Sequence, residues 1–417
     1  MVVRCISLVH PTGNPNSRNA AIALANANLL HQIITTIAYN PGGQIAQAVQ
    51  RLPKPLRHRL SQELERRTWI APNGAAIKTH PWQEALRICL VKSGLSPRLG
   101  LGRQGPIDWV YACLDRHVAQ HHLDRLDAVY AYEDGAALTF QAAKQRGIQC
   151  FYELPIVFHR TARQIQQDEA ALFPKFALSL QAVHEPQWKL DRKDQEVDLA
   201  DHIFVPSSMT RQSLLDAGIA PERISVIPYG APVDYFKPKP KPDRTFRALF
   251  VGRVGPRKGV HYLLEAWKKL QLYDAELKLV GVNEFPTGWL ESHRDHIHYL
   301  PGVPHATLGQ HYCSASVLVF PSLVEGFGLV QLEAMACGVP IITTPNAAGP
   351  DIITDGVEGF IISIRDSEAI QERLEWCYQH PNELTEMGLA ARRKAENLTW
   401  SVYQQTLAAK IKELLYK

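Results

Sequence analysis

The sequence predicts an α/β protein of two domains, each built around a parallel sheet with helices on its faces. Short apolar runs alternate with amphipathic helical stretches along the chain, which is typical of this architecture. Residues 237–244, KPKPKPDR, break that alternation with prolines that neither a helix nor a central strand accepts. The 417 residues are too many for one ordinary domain. We therefore predict domains at 1–236 and 245–399, with a cleft where the carboxyl ends of both sheets meet.

The first half opens with a strand, a turn and a helix. Residues 4–10 (RCISLVH) are strand-like, residues 11–17 (PTGNPNS) form a turn, and residues 18–30 (RNAAIALANANLL) are helix-like. The later strands predicted in this half are AVYAY, QCFYE and HIFVP.

The second half repeats the pattern after the proline-rich linker. Its predicted strands are FRALFV, ELKLVG, HIHYL, SVLVF, PIITT and GFIIS. The last segment, WSVYQQTLAAKIKELLYK (residues 400–417), has the apolar periodicity of a helix.

The most informative stretch for function lies at residues 320–359. Glu325 and Glu333 flank a Gly-Phe-Gly turn, and the apolar run VLVF before it predicts a buried strand. A helix that follows such a turn directs free backbone N–H groups and a positive dipole end towards the strand's end. One end of this site therefore favours an anion and the other, at Glu333, favours hydroxyl groups, a combination that fits a nucleotide sugar.

A second loop, residues 252–259, is punctuated by glycines and lies between the strand ALFV and the helix VHYLLEAWKKL. It carries Arg253 and Lys258, which are suited to bind phosphate beside a helix start. Arg257 is a rival for the same role, and the sequence does not rank it against Arg253.

These motifs together resemble glycosyltransferase family 4. The stretch PSLVEGFGLVQLEAMACGVPII resembles the donor-site signature of that family, LFVGRVGPRKGVHYLLEAW resembles its diphosphate loop, and GPDIITDGVEGFII resembles its next strand-helix-strand unit. The resemblance implies the GT-B fold, with two Rossmann-like domains facing across a cleft and the C-terminal helix (400–417) crossing back onto the N-terminal domain.

The resemblance also implies a reaction, namely sugar transfer from a nucleotide-diphosphate sugar (UDP or GDP) to a hydroxyl acceptor with retention of anomeric configuration. Arg253 and Lys258 would stabilise the leaving diphosphate, Glu325 would orient the sugar, and Glu333 would hold the ribose. We predict further binding residues around them: Gly255, Val303, Gly326, Phe327, Gly328 and Leu329. No Asp-x-Asp motif occurs in the sequence, so we expect a hexosyltransferase that uses no metal and no cofactor besides its donor.

The first half should supply the acceptor site. In the resembled family the first strand-helix loop is glycine-rich and faces the cleft, so Gly13 and Asn14 are candidates, with Arg18 at the helix start. An ordinary turn is the alternative. Glu133 and Asp134, between a strand and a helix, form a second candidate group.

The chain departs from the family pattern at the end of the strand QCFYE. Many members carry a histidine there, close to the reacting sugar, whereas this chain has Tyr152 and Glu153. Either the usual histidine is dispensable or His159 replaces it, so we keep Glu153 and His159 as candidate catalytic residues. This departure leaves two alternatives to a transferase: a sugar-nucleotide epimerase, and a non-catalytic homologue that binds carbohydrate or membrane.

Charge distribution gives a hint about partners. Residues 1–103 hold thirteen Lys and Arg against three Glu, although the whole chain is only +4. This excess favours an anionic acceptor, such as a polysaccharide precursor or lipid-linked glycan, or an anionic membrane surface. Equally, the charges can simply cover exposed helices. The arginines that we single out are Arg57, Arg59, Arg66 and Arg67.

The remaining features indicate location and exclude other classes. Seven scattered cysteines without a CxxC pair indicate a reducing compartment, and no apolar run is long enough to span a bilayer. We therefore expect a cytoplasmic protein, either free or peripheral at the inner face of the membrane, that binds no nucleic acid. Residues 100–105 spell GxGxxG without a preceding strand, and His117, His121 and His122 lack an HExxH context, so we predict neither a dinucleotide nor a metal site.

Overall fold

The structure is a computed structural model, and it describes residues 4–51, 53, 57, 64, 67–92 and 104–416. Within these residues the first sheet is parallel and has the order β3-β2-β1-β4-β5-β6-β7. Its strands are β1 (Ile6–Val9), β2 (Leu30–Thr35), β3 (Ala76–Thr79), β4 (Ala128–Tyr132), β5 (Gln149–Glu153), β6 (His202–Val205) and β7 (Ile224–Val226).

The second sheet is also parallel and has the order β10-β9-β8-β11-β12-β13. Its strands are β8 (Phe246–Val251), β9 (Ala275–Val280), β10 (His298–Leu300), β11 (Val317–Phe320), β12 (Ile341–Thr343) and β13 (Gly359–Ile361). Between β7 and β8 the chain passes through residues 237–244 without helix or strand, as the prolines predict.

Helices connect the strands in both halves. In the first half they are α1 (Pro15–Asn26), α2 (Gln44–Gln50), α3 (Trp82–Lys92), α4 (Gly105–His121), α5 (Ala137–Gln145), α6 (His159–Leu172), α7 (Gln187–Leu199) and α8 (Ser208–Asp216). In the second half they are α9 (Val260–Lys269), α10 (Leu308–Ser314), α11 (Leu329–Ala336), α12 (Gly349–Ile352), α13 (Ser367–Gln379), α14 (Pro381–Asn397) and α15 (Trp400–Leu415).

One predicted element is wrong in its extent. The helix expected over residues 18–30 ends at Asn26, and β2 begins at Leu30. Asn28 adopts a left-handed backbone (φ 58°), a conformation that asparagine tolerates better than most residues and that ends the helix. The apolar run that continues the helical pattern therefore belongs to a buried strand.

The C-terminal helix crosses back onto the first domain, which confirms the expectation for this fold. α15 packs along α1, where the Gln404 side-chain amide donates to Asn19 Oδ1 at 2.7 Å. Leu407 and Ile411 on the same helix are fully buried. At the crossing point Gly230 lies so close to the backbone of Trp400 that a Cβ there would overlap it.

The two domains touch through the loops at the carboxyl ends of their sheets and through α6. Glu169 on α6 is fully buried and accepts from His261 Nε2 (2.7 Å) on α9 and from Arg365 Nε (2.8 Å), both in the second domain. These charge-assisted bonds fix how the two sheets face each other. Over the described residues, no helix combines the length and apolar character needed to cross a bilayer.

Candidate active site

The loop that follows β11 places a backbone turn at the edge of the second sheet. Gly328 has φ 84°, a left-handed conformation that suits glycine, and a Cβ there would lie 2.7 Å from the Phe320 ring. α11 begins at the next residue. Among the described residues, the backbone N–H groups of Gly326, Phe327 and Gly328 have no protein acceptor. The turn therefore offers donors next to the helix N-terminus, as an anion site requires.

The loop that follows β8 is pressed against the end of β11. Gly259 has φ 66°, and a Cβ there would overlap the carbonyl oxygen of Pro321. The close approach requires glycine on both counts. As a result, Arg257 and Lys258, in the short 3₁₀ turn Pro256–Lys258, lie beneath the loop that carries Glu325.

Two cations converge on the Glu325 carboxylate. The Lys258 ammonium pairs with Glu325 Oε2 and lies 4.7 Å from the centroid of the Phe320 ring. Arg257 Nη1 donates to the same Oε2 at 3.2 Å and to the carbonyl oxygen of Val324 at 3.0 Å. The side chains are only 9% (Lys258), 17% (Glu325) and 21% (Arg257) exposed. Burial lowers the pKa of Lys258, and the neighbouring guanidinium of Arg257 lowers it further.

The structure separates the two arginines that the sequence could not rank. Arg257 contacts Glu325, whereas Arg253 is 45% exposed and pairs with Glu284 at the rim. Gly255 lies between them, where a Cβ would come within 2.9 Å of Glu284 Cβ. Arg253 thus lies beside the ion cluster rather than in it.

Glu333 lies deeper, in α11, with both carboxylate oxygens occupied. Tyr312 donates to Oε2 at 2.7 Å and His305 Nε2 lies 2.8 Å from Oε1. The Glu333 hydrogen bond raises the pKa of His305, and the positive charge of Arg18 on α1 opposes this rise. Arg18 of the first domain is therefore within electrostatic range of His305. Val303, partly buried against the core, precedes His305 by two residues.

Residues of the first domain contact the Gly-Phe-Gly turn, and we call this group of contacts between the domains the clasp. The carbonyl oxygen of Gly326 accepts from Ser207 Oγ at 2.6 Å and from Thr210 Oγ1 at 3.3 Å. A Cβ on Gly326 would overlap the backbone of Pro155. Asp351 similarly accepts from the Ser208 hydroxyl at 3.0 Å. These contacts were not predicted, because they join segments more than a hundred residues apart. No motif or residue spacing in the sequence indicates such contacts.

His159 is near this clasp but already has a partner. Val157 packs against Val324, so the loop after β5 reaches the site. His159 Nε2, however, lies 2.7 Å from Asp194 Oδ1 on α7, and its side chain is only 5% exposed. Burial lowers the pKa of His159. The ring is anchored at the start of α6 by this contact with Asp194.

Glu153 does not lie with the Glu325 cluster. It is 2% exposed and accepts from the hydroxyls of Tyr130 (2.6 Å) and Tyr229 (2.7 Å), with Tyr403 of α15 at 3.5 Å. Burial raises the pKa of Glu153. As the last residue of β5, it points to the junction with the C-terminal helix, because alternate strand residues point to opposite faces. The tyrosine hydroxyls around Glu153 therefore give this carboxyl group a structural role.

The first strand-helix loop is an ordered wall of the first domain. A Cβ on Gly13 would overlap the carbonyl oxygen of Thr68, and Asn14 caps α1 by accepting from Ser17 N at 2.8 Å. His10 lies 3.2 Å from the Asn14 amide nitrogen and packs edge-on against Tyr132, and burial lowers its pKa to about 4.

A small cavity of about 210 Å³ opens beside this loop, next to Pro11 and Thr12. Arg67 lines it, 4% exposed and bonded to Glu84 (Nε to Oε1, 2.8 Å). The expectation that Arg67 offers its charge to an anionic partner is therefore wrong, because Glu84 neutralises it in the interior. Arg59 and Arg66 lie outside the described residues.

A charged group follows β4 on the same side. Lys193 Nζ lies 3.3 Å from Glu133 Oε1, and Lys189 Nζ lies 3.1 Å from Asp134 Oδ2. Burial raises the pKa of Glu133 to about 7. Both lysines belong to α7, so these ion pairs join α7 to the loop at the end of β4. Within the described part of the chain, no group of three His, Cys, Asp or Glu side chains is arranged to hold a metal ion.

The fold defines the class of protein. The chain superposes on Anabaena HepE in complex with UDP with a TM-score of 0.62, at 16% identity over 98% of this chain and 100% of that one. Sucrose-phosphate synthase from Thermosynechococcus elongatus gives a TM-score of 0.65, at 17% identity over 99% of both chains. The architecture is the GT-B fold, which confirms the predicted fold class.

The sequence comparisons agree with the fold. The family model described as glycosyl transferases group 1 matches residues 234–394, and this match, together with the relatives named below, identifies the chain as a glycosyltransferase with the GT-B fold. It is 29% identical to D-inositol 3-phosphate glycosyltransferase from Geodermatophilus obscurus, over 72% of this chain and 69% of that protein. It is 28% identical to GDP-mannose-dependent alpha-(1-6)-phosphatidylinositol monomannoside mannosyltransferase from Mycolicibacterium smegmatis, over 52% of this chain and 62% of that protein.

Proposed function

We propose that this glycosyltransferase moves a sugar from a nucleotide-diphosphate sugar to an acceptor hydroxyl, with retention of configuration and without a metal. The observation that carries the proposal is the convergence of Lys258 and Arg257 on Glu325, beside the N–H groups of the turn that opens α11. Anabaena HepE, which shares the fold, was crystallised in complex with UDP, and this supports a nucleotide donor. The match to the glycosyltransferase family model favours a transferase over an epimerase or a non-catalytic homologue.

The two cations are suited to the leaving diphosphate. Both are largely buried, and both form an ion pair with the same carboxylate, that of Glu325. A diphosphate bound at the start of α11 adds several anionic oxygens, so Lys258 and Arg257 can turn to it while the free N–H groups donate as well. Because these donors are in place before the bond breaks, they stabilise the charge that grows on the leaving group. Arg253 contributes more weakly from the rim.

Glu325 is assigned to the sugar. Its backbone N–H donates to the Asn346 carbonyl oxygen at 2.9 Å, which fixes the loop, and Lys258 orients its carboxylate. Once the diphosphate engages Lys258, the carboxylate can accept from sugar hydroxyls and offset the positive charge of an oxocarbenium-like transition state. Attack on the same face as the leaving group then requires no protein nucleophile.

Glu333 is assigned to the ribose. Tyr312 is buried and fixes Oε2, whereas the His305 side chain that holds Oε1 is 60% exposed. Oε1 is therefore the oxygen that can exchange its partner for a ribose hydroxyl. Burial of the carboxylate makes such a hydrogen bond worth more than one in water.

The acceptor binds the wall of the first domain formed by Gly13, Asn14 and the loop that carries His159. Its chemistry is a hydroxyl of a polysaccharide precursor or lipid-linked glycan. The name of the Mycolicibacterium smegmatis relative supports this class, since it combines a GDP-mannose donor with a phosphatidylinositol-linked acceptor. We assign the protein to the cytoplasm, in peripheral contact with an anionic membrane. Closure of the domains over the donor excludes water, which would otherwise hydrolyse it.

The test is a transfer assay in EDTA with UDP-glucose, GDP-mannose and other common donors against hydroxyl acceptors of these classes. We expect one donor to release its nucleoside diphosphate, and the product to keep the donor's anomeric configuration by NMR. Lys258→Gln should lose at least about 100-fold in rate, whereas Lys268→Gln, exposed on α9, should not change it. An inverted product, or full activity of Lys258→Gln, would contradict the proposal.

A further inference from the structure

A cavity of about 730 Å³ lies at the edge of the second sheet opposite the candidate active site. Among its lining residues, Phe246 begins β8, Ser316 immediately precedes β11 and Pro340 immediately precedes β12. In a parallel sheet these amino ends share one edge, and the loops of Glu325 and Lys258 leave from the other. β8 and β11, of six and four residues, separate the cavity from these loops by roughly 13–20 Å. The volume is in the range of small-molecule sites.

One wall of this cavity is apolar and reaches the surface. Phe246 and Tyr378 pack edge-to-face at 5.5 Å between ring centroids. Tyr273 and Leu389 complete the wall and are 85% and 49% exposed. Large apolar side chains exposed together around a concavity mark a surface that another apolar group covers.

The other wall is basic and comes from the linker between the domains. Lys239, Lys241 and Arg244 line the cavity, where Asp274 is the acidic residue. Lys241 Nζ donates to the Thr245 carbonyl oxygen (2.6 Å) and to Ser316 Oγ (2.7 Å), which hold it in place. Among the residues that the structure describes, no carboxylate forms an ion pair with any of these three cations. The cavity therefore presents uncompensated positive charge beside apolar surface.

We infer that this cavity binds a lipid whose head group carries a phosphate. The phosphate lies against Lys239, Lys241 and Arg244, whose ammonium and guanidinium groups match its charge. The chain lies along Phe246, Tyr378 and Leu389, where its burial supplies hydrophobic free energy. A free sugar phosphate would leave the exposed Tyr273 and Leu389 uncovered, and a neutral lipid would leave the cations unmatched.

This site is separate from the proposed sugar transfer. It faces away from the cleft, so its lipid is neither donor nor acceptor, and it would tie the second domain to an anionic membrane. Binding can be measured without any glycosyl donor, so a failure here leaves the proposed transfer untouched, and the reverse holds as well.

Calorimetric titration with octyl phosphate, below its micelle concentration, tests the chemistry. We expect octyl phosphate to bind at least about tenfold more tightly than either inorganic phosphate or octyl glucoside. Lys239→Gln combined with Arg244→Gln should weaken octyl phosphate about tenfold. Lys268→Gln combined with Lys412→Gln removes the same charge from exposed helix positions and should leave binding unchanged. Affinity should rise along the series hexyl, octyl and decyl phosphate.

Sedimentation with vesicles tests the source of the ligand. We expect the protein to pellet with phosphatidylcholine vesicles that contain phosphatidic acid and not with pure phosphatidylcholine, and octyl phosphate should compete. Equal binding of inorganic phosphate, equal binding of octyl glucoside, or no effect of the cavity double variant would overturn the site. Binding of octyl phosphate without any sedimentation would overturn the assignment to a membrane lipid.

Discussion

The two walls of the cleft hold their polar residues in different ways. On the second domain, Lys258, Arg257 and Glu325 come from two short loops that follow the neighbouring strands β8 and β11. On the first domain, two candidates are bound to other helices: His159 to Asp194 on α7, and Glu153 to Tyr403 on α15. The polar residues of the second domain therefore lie in two loops that leave neighbouring strands, whereas His159 and Glu153 are bound to helices that lie elsewhere in the fold.

Replacement of Glu325 should reduce turnover more than any other change if the donor wall, which is the part of the cleft formed by Lys258, Arg257 and Glu325, carries out the reaction. We expect Glu325→Ala to reduce transfer by roughly 10²–10³-fold, because the carboxylate acts on charge that develops in the transition state. Nucleotide affinity should survive, since we propose that Lys258, Arg257 and backbone N–H groups bind the diphosphate. Initial rates and titration calorimetry measure the two effects. Glu386→Ala, exposed on α14, is the control, and full activity of Glu325→Ala would break the contrast between the walls.

The two arginines of the diphosphate loop sharpen the comparison within the donor wall. Arg257→Gln should lower turnover about 10–100-fold, since it removes a largely buried charge-assisted donor. Arg253→Gln removes an exposed pair with Glu284 and should cost no more than about threefold. Arg294→Gln, on the surface of the same domain, should behave as wild type. A larger loss of turnover in Arg253→Gln than in Arg257→Gln would show that Arg253, at the rim, binds the diphosphate.

The contact between the walls can be loosened at one position. Gly326→Ala places a methyl group on the backbone of Pro155, so the domains must separate and the bonds from Ser207 and Thr210 must lengthen. We expect turnover to fall about tenfold with nucleotide affinity nearly unchanged, because closure and not donor binding is impaired. The radius of gyration from X-ray scattering should increase. Gly105→Ala, where a Cβ meets open space, is the control. Unchanged turnover would mean that the clasp is dispensable.

Glu153 should affect stability far more than transfer. Burial raises its pKa in the folded state, so its contribution is fully present at acidic pH and is lost as pH rises through that raised pKa. Glu153→Gln stays neutral at every pH. The free energy of unfolding of this variant should therefore increase relative to that of wild type as the pH rises above the ordinary range of a glutamate carboxyl. Turnover should stay within about twofold of wild type. Denaturant unfolding at several pH values checks this. A large loss of turnover in the folded variant would restore Glu153 as a catalytic residue.

Local patterns in the sequence predicted four of the seven strands of the first sheet, the strands of the second sheet, and the two loops proposed to bind the donor. β11 was predicted because four apolar residues precede a glycine turn, and β5 because its run is continuous and bounded. β3 was missed, since most of its side chains are exposed and carry no apolar pattern. The end of α1 was missed because only the left-handed backbone of Asn28 separates it from β2.

The pairing of side chains could not be predicted in the same way. The sequence left Arg253 and Arg257 unranked, and the close approach of Gly259 to Pro321 is what selects Arg257 for contact with Glu325. Glu153 and Tyr403 are 250 residues apart, so nothing near β5 indicates that the carboxyl group faces a helix from the other end of the chain. Motifs identify a site when its parts are adjacent in the chain, and tertiary contacts decide the rest.

The most direct test of the donor site is thermal unfolding of wild type and Lys258→Gln in EDTA, with UDP, GDP and ADP at saturating concentration. Binding to the folded state alone stabilises it by about 2.7 kcal/mol at 100 times the Kd. We predict that one nucleotide raises the Tm of wild type by several degrees, that Lys258→Gln loses most of this shift, and that Lys268→Gln keeps it. No shift in wild type with any of the three, or an equal shift in Lys258→Gln, would contradict the assignment of the donor site.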